Sequence, residues 1–165
     1  FMNFDIQQPA PFALVGQDNL IAGKAVGLEG TLSVKLTEVH AQFDSFVNAG
    51  SLALRQFQGS VSVPDDINFQ LSRLFLTIAD DTAGGAGAPP PSVTLSVLYG
   101  PLILPGYTGY RERTVVAGDT LSAIANDEYG DSSMFTVIQQ ANQHIVPDAN
   151  VIAPGMVLRI PRNDT

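Results

Sequence analysis

Cysteine is absent from this chain of 165 residues, which excludes a disulfide framework and any zinc–thiolate site. Histidine is nearly absent too, with only His40 and His144. Neither His-Glu-x-x-His nor Gly-x-Ser-x-Gly occurs, so motifs assemble neither a metallohydrolase nor a serine-nucleophile site. No apolar run approaches the roughly 18 residues that a transmembrane helix requires. Phe1 onward shows neither the basic start nor the apolar stretch of a signal peptide, so an exported form is expected to carry its signal or anchor ahead of Phe1. Basic residues are scarce, 8 Lys and Arg against 16 Asp and Glu, for a net charge of −8. Both parts of the chain share the imbalance, with four basic and nine acidic residues up to Pro105 and four and seven after it. That argues against nucleic acid and anionic membrane as partners.

Carboxylates are therefore the only plentiful catalytic material. Asp65-Asp66, Asp80-Asp81 and Asp127-Glu128 are pairs of the kind glycoside hydrolysis uses at a fixed separation. Neighbours in sequence do not point at a common target, and these pairs are expected at loops and helix ends, on a solvated surface. No catalytic residue, cofactor or metal site is expected.

The first hundred residues read as strands. Leu28, Gly30, Leu32, Val34 and Leu36 alternate with Glu29, Thr31, Ser33, Lys35 and Thr37, a period of two that sets one face on a core and the other in water. The same period recurs at Phe57–Val63, Leu74–Ile78 and Val93–Tyr99, with weaker runs at Phe4–Gln8, Asn19–Ala22 and Phe43–Val47. About seven short strands separated by Gly, Pro, Asp and Asn clusters favour a sandwich. Alternation points Glu29 to solvent. Asp80 to Pro91 is rich in Gly, Ala and Pro without apolar bulk and reads as a long loop inside this domain; its glycines follow no phosphate-binding pattern. Tyr99 to Tyr110 holds apolar residues between its prolines and glycines, unlike a polar tether. Leu102 to Leu104 are expected to continue or follow the last strand, and Tyr107 and Tyr110 to pack between domains.

The last third changes period. Thr114 to Val116 is a short β-branched run ended by Gly118-Asp119-Thr120, whose side-chain oxygens suit a helix start. Leu121, Ile124 and Ala125 recur at i, i+3, i+4, and Tyr129-Gly130 ends that helix. A second helix, capped by Asp131 or Ser132, buries Met134, Val137, Ile138 and Ala141. His144 ends it, where a cation favours the helix dipole. Pro154-Gly155 then turns the chain into a strand from Val157 to Ile160. Strand, helix, helix, strand is stable at this size when the two strands pair and the helices cover one face.

Two blocks of this segment, Arg113-Thr-Val-Val-Ala-Gly-Asp-Thr-Leu-Ser-Ala-Ile-Ala and Val151-Ile-Ala-Pro-Gly-Met-Val-Leu-Arg-Ile-Pro161, resemble the opening and closing motifs of a LysM domain. The usual tyrosine at the first strand position is here Arg113. The spacing Tyr129-Gly130-Asp131, Ala141-Asn142 and Ile152-Ala153-Pro154-Gly155 is similar to a longer bacterial subtype found in envelope proteins, phage-tail-like proteins and potassium-binding proteins. The resemblance implies a βααβ module and a shallow groove for N-acetylglucosamine-containing glycan such as peptidoglycan or chitin. Carried over by position, the groove residues are Gly118, Asp119, Thr120 and Leu121 on one side and Asn150, Val151, Ile152 and Ala153 on the other. Asp119 and Thr120 are also helix caps, and Leu121 and Ile152 also core.

In the first part, Ile21-Ala-Gly23-Lys-Ala25-Val-Gly27-Leu-Glu29-Gly30-Thr-Leu-Ser-Val34, with Phe57–Val63 and Ser92–Tyr99, resembles the immunoglobulin-like domain of bacterial spore-germination and related envelope proteins. That resemblance implies an extracytoplasmic, non-enzymatic sandwich and names no established ligand; a protein partner is one candidate role for it. The expected organisation is two domains, an all-β immunoglobulin-like sandwich over 1–106 and a small α+β LysM domain over 107–165. The expected function is non-catalytic binding of an N-acetylglucosamine polymer at the cell envelope. The alternatives are a structural adaptor in an envelope or phage-tail-like assembly and a small-cation-binding protein.

Overall fold

The computed structural model of the protein describes residues 5–25, 31–48, 55–80, 87 and 90–164. Chain contacts divide it into two compact units, Phe1–Tyr99 and Gly100–Thr165.

Among the described residues the first unit has eight strands: β1 (Asp5–Gln8), β2 (Leu14–Val15), β3 (Asp18–Ala25), β4 (Thr31–Thr37), β5 (Gln42–Asn48), β6 (Arg55–Ser62), β7 (Arg73–Ala79) and β8 (Ser92–Tyr99). They make a three-stranded sheet in the order β1-β3-β6 and a five-stranded sheet in the order β2-β8-β7-β4-β5. All neighbours are antiparallel except the two-residue β2, which runs parallel to β8. The alternating faces explain the arrangement. Val34 and Leu36 on β4 lie in register opposite Ile78 and Leu76 on β7, Leu32 and Leu74 continue the same inward faces, and each of the six is at most 4% exposed. Burying a side chain of this size stabilises by roughly 1.5–3 kcal/mol, so these two central strands dominate the hydrophobic contribution. Ile21, Phe57 and Val61 of the smaller sheet join the same buried cluster. The two sheets thus share one core. Gly59 allows close approach, since a Cβ there would stand 2.5 Å from Cγ1 of Val47.

Glu38, just past β4, accepts the backbone N–H groups of Gln70 at 2.8 Å and Leu71 at 2.6 Å, tying the β4 exit to the β7 entry. Asp65 and Asp66 are exposed as expected, whereas Asp80 is fully buried. Asp81, Glu29 and most of the loop to Pro91 lie outside the described residues.

The second unit opens with a single helical turn, α1 (Gly100–Ile103). Leu102 to Leu104 therefore follow the last strand without extending it, and Ile103 and Leu104 are buried. Tyr107 closes on Gly100, where a Cβ would stand 2.5 Å from its ring. Beyond it come β9 (Gly109–Thr114), α2 (Leu121–Tyr129), a 3-10 turn (Ser132–Met134), α3 (Phe135–Ala141) and β10 (Val157–Arg162). β9 and β10 pair antiparallel from Gly109↔Arg162 to Thr114↔Val157. Thr120 caps α2 by accepting the Ala123 N–H at 3.1 Å, and Gly130, at φ 73°, ends it. Asp131 caps the 3-10 turn through the Ser133 N–H at 2.8 Å, and that turn leads into α3. The core is small: Val115, Leu121, Ile124, Ala125, Ile138, Val146, Leu158 and Ile160.

Candidate functional site

Two loops meet at one end of the β9–β10 pair. Val115 donates to the Met156 carbonyl at 2.8 Å and accepts the Gly155 N–H at 2.8 Å, so the ladder runs past the strand ends and draws the loops together. On the first loop, Asp119 folds back on Val116: its N–H donates to the Val116 carbonyl at 3.1 Å and its carboxylate accepts the Val116 N–H at 3.0 Å. On the second, the Asp148 carboxylate accepts the Asn150 backbone N–H at 2.9 Å and its side-chain amide at 3.2 Å, while Val151 donates to the Asp148 carbonyl at 3.0 Å. Each loop is held by its own aspartate.

Between them lies a groove of about 240 Å³. Asp119, Thr120, Leu121 and Ser122 line it from the start of α2, Ala149, Asn150 and Ile152 from the far loop, and Phe135 from the first turn of α3. The structure thus brings together Asp119, Thr120, Leu121, Asn150 and Ile152 of the residues carried over by resemblance. Gly118, Val151 and Ala153 stand in the same loops but outside the lining. Leu121 is core, 2% exposed, and Ile152 packs on the core's edge, so both serve the fold as well as the groove floor. Sequence reasoning missed Phe135, which lies one residue off the Met134–Val137–Ile138–Ala141 stripe. Its signal was a large aromatic four residues after the Asp131 cap.

Polar clasps fix the scaffold beneath. Asn142 is 1% exposed; its Nδ2 donates to the carbonyls of Ile138 at 2.7 Å and Arg159 at 2.8 Å, and its Oδ1 accepts the Arg159 N–H at 2.8 Å. One side-chain amide thus ties the end of α3 to β10 as a neighbouring strand would. At the other end of α2, the Glu128 side chain is 3% exposed and is paired with Arg111, with Arg113 at 3.2 Å and with Arg162 at 3.6 Å. This corrects the expectation that Asp127-Glu128 is a solvated pair. Only Asp127 faces water, beside Arg113 at 3.2 Å. Arg113, in place of tyrosine, supplies two of these bonds. Tyr129 donates to the Pro161 carbonyl at 2.8 Å, and burial pushes its phenol up to about 12. His144 also departs from expectation: α3 ends at Ala141, and burial followed by the nearby Arg159 charge lowers the imidazole pKa, favouring the neutral form over a capping cation.

Among the described residues no three or more His, Cys, Asp or Glu side chains gather as a metal site, and no helix is long and apolar enough to cross a membrane. Residues 114–161, which carry both loops and the groove, match the LysM domain family. The chain is similar to the Potassium binding protein Kbp of Escherichia coli, 46% identical over 48 residues, which is 29% of this chain and 32% of that protein. It is also similar to Esterase Rv1288 and Esterase MT1326 of Mycobacterium tuberculosis, each 49% identical over 59 residues, 36% of this chain and 12% of each esterase. The chain thus spans about a third or less of the length of these curated relatives. The likeness to the esterases covers the LysM region, which is non-catalytic. No solved structure matches the chain.

Proposed function

We propose that this protein is a non-catalytic binder of N-acetylglucosamine-containing glycan, peptidoglycan above all, working at the cell envelope through the groove of its second unit. The observation that carries the reading is the LysM match together with a groove lined by Asp119, Thr120, Leu121, Asn150 and Ile152. An N-acetyl sugar presents hydroxyl and amide groups to polar rims and a methyl group to an apolar floor, here Leu121, Ile152 and Phe135. The groove is small, so each module takes a short stretch of sugar, and long polymers are retained by rebinding. Membership of the envelope follows from the ligand. In the same reading the first unit is an immunoglobulin-like sandwich, supported by two sheets on one core, and serves as a spacer or a protein-binding partner of the module. A small-cation role has the name of the potassium-binding relative in its favour and no clustered ligand set among the described residues.

Titrating chitin oligomers of increasing length, with amide shifts followed from Gly118 to Leu121 and from Asn150 to Ala153, tests the reading. Ile152→Asp is expected to abolish retention on sacculi while leaving the module folded. Folded wild-type protein with no shift at millimolar sugar and no retention would sink it.

A further inference from the structure

The outward face of the five-stranded sheet carries a second recess. Residues in register on an antiparallel pair point to the same face, so Ser33 on β4 shares a row with Phe46 on β5, Ala79 on β7 and Ser92 on β8. Lys35 shares the next row with Asp44, Thr77 and Thr94. Each row crosses from β5 to β8, about 14 Å. Ser33 and Ala79 are small and keep the middle of the first row low beside Phe46. A cleft of about 390 Å³ lies there, larger than the groove of the second unit. Its size falls within the roughly 300–1,000 Å³ of small-molecule sites. Ser33, Lys35, Asp44 and Thr77 supply a polar floor, Phe46 and Pro90 apolar walls. A lone exposed aromatic is ordinary on a protein surface; Phe46, 67% exposed, is set apart by standing over hydrogen-bonding groups.

That floor has bonding capacity to spare. The Lys35 ammonium and the Asp44 carboxylate stand 4.0 Å apart, beyond hydrogen-bond reach, and both side chains are about half exposed. Asp44 accepts the Gln42 side-chain amide at 2.7 Å and has further lone pairs to offer. Ser33 donates to the Ala79 carbonyl at 3.3 Å and keeps its own lone pairs. Thr77 and Thr94 share one bond at 2.9 Å, which leaves one hydroxyl hydrogen to give. A cation and an anion side by side select no ion of either sign. A charged pair at the centre is also unlike the core of a protein interface, where charged residues are depleted. We propose that this cleft binds a short run of neutral sugar units. A pyranose ring lays its C–H face on the negative face of the Phe46 ring, and its hydroxyls bond Lys35, Asp44, Ser33 and Thr77. The first unit then holds a saccharide site of its own, independent of the groove in the second. Two sites on one chain raise retention on a polymer long enough to engage both.

The test uses the full chain with cellotetraose and chitotetraose, both neutral; cellotetraose lacks the acetyl methyl on which the reading of the groove depends. Amides of Lys35, Asp44, Phe46 and Thr77 report the cleft, and those of Gly118 to Leu121 the groove. Both sugars are expected to move the cleft amides at millimolar concentration. Phe46→Ala is expected to weaken that binding about tenfold, and Lys35→Met combined with Asp44→Asn by at least as much, while the groove amides respond as in wild type. Both variants are expected to keep the amide dispersion of the sheet, since these side chains are exposed. Cleft amides that stay still with both sugars overturn the proposal, as do shifts that survive both variants. Shifts that follow protein concentration without sugar also overturn it, because a second copy of the chain would then be the occupant. The groove reading stands or falls on its own amides.

Discussion

The two units reach stability by different routes. In the first, nearly every second residue of β4 and β7 is core, and the two sheets bury one large cluster with few polar fasteners. In the second, a core cluster of eight buried apolar residues is supplemented by a buried amide, Asn142, and a nearly buried carboxylate, Glu128, that hold strand to helix. A small unit buries too little apolar surface to fix its geometry by hydrophobic contact alone, so directional bonds set the position of α3 and of the loops around the groove.

That contrast can be broken by substitution. The largest effect is expected for Leu76→Ala, which opens a cavity between the sheets and costs about 3–4 kcal/mol, read by denaturant unfolding of amides in residues 31–79 while those of 109–162 hold. Asn142→Ala should cost the second unit about 3 kcal/mol, because the Arg159 N–H and carbonyl lose their partner at roughly 1–3 kcal/mol each. A loss under 1 kcal/mol would mean that water replaces the clasp. Glu128→Gln should cost about 2 kcal/mol, less than breaking a fully buried pair because the arginines are partly exposed, and its effect should shrink in high salt. Phe135→Ala is expected to weaken chitin-oligomer binding about fivefold with a smaller change in stability, since it removes one wall of the groove.

The smallest effect concerns pH. The folded His144 pKa lies below the ordinary 6.5, so the unfolded chain takes up the proton first as pH falls. Stability from the neutral imidazole is complete above about pH 6.5 and is lost as pH falls below it toward the folded value. Wild type should therefore lose more stability between pH 7 and pH 5 than His144→Gln. Parallel melting curves for the two across that range would show that His144 does not carry the dependence.

Much of this was legible in the residues. Alternation placed the inward faces of β4, β6 and β7, because a half-buried strand leaves a period of two wherever it lies; in β8 it set Leu98 outward, yet Leu98 is buried together with Val97 and Tyr99. The caps at Thr120 and Asp131 and the stop at Gly130 were legible because their partners are two to four residues away. The parallel β2 escaped, since two residues carry no period. Asn142, Glu128 and Phe135 escaped for another reason: Asn142 clasps Arg159, Glu128 meets three arginines and Phe135 faces its groove partners across 13 to 34 residues, and no local pattern separates a clasp, a buried charge or a groove wall from an ordinary surface residue. The acid pair Asp127-Glu128 shows this most plainly, as one helix turn sends one carboxylate to water and its neighbour among three arginines.

The clasp at Asn142 also bears on how molecules of this protein meet one another. β10 has β9 on one side only, and an unpaired strand edge is a template on which a second chain can build. Along that edge the Arg159 N–H and carbonyl are both taken by Asn142, the Pro161 carbonyl is taken by the Tyr129 hydroxyl, and Pro161 has no N–H to offer. An incoming strand finds these positions already bonded. The side chains that hold this small unit together thus also close the β10 edge of its sheet to a neighbouring strand.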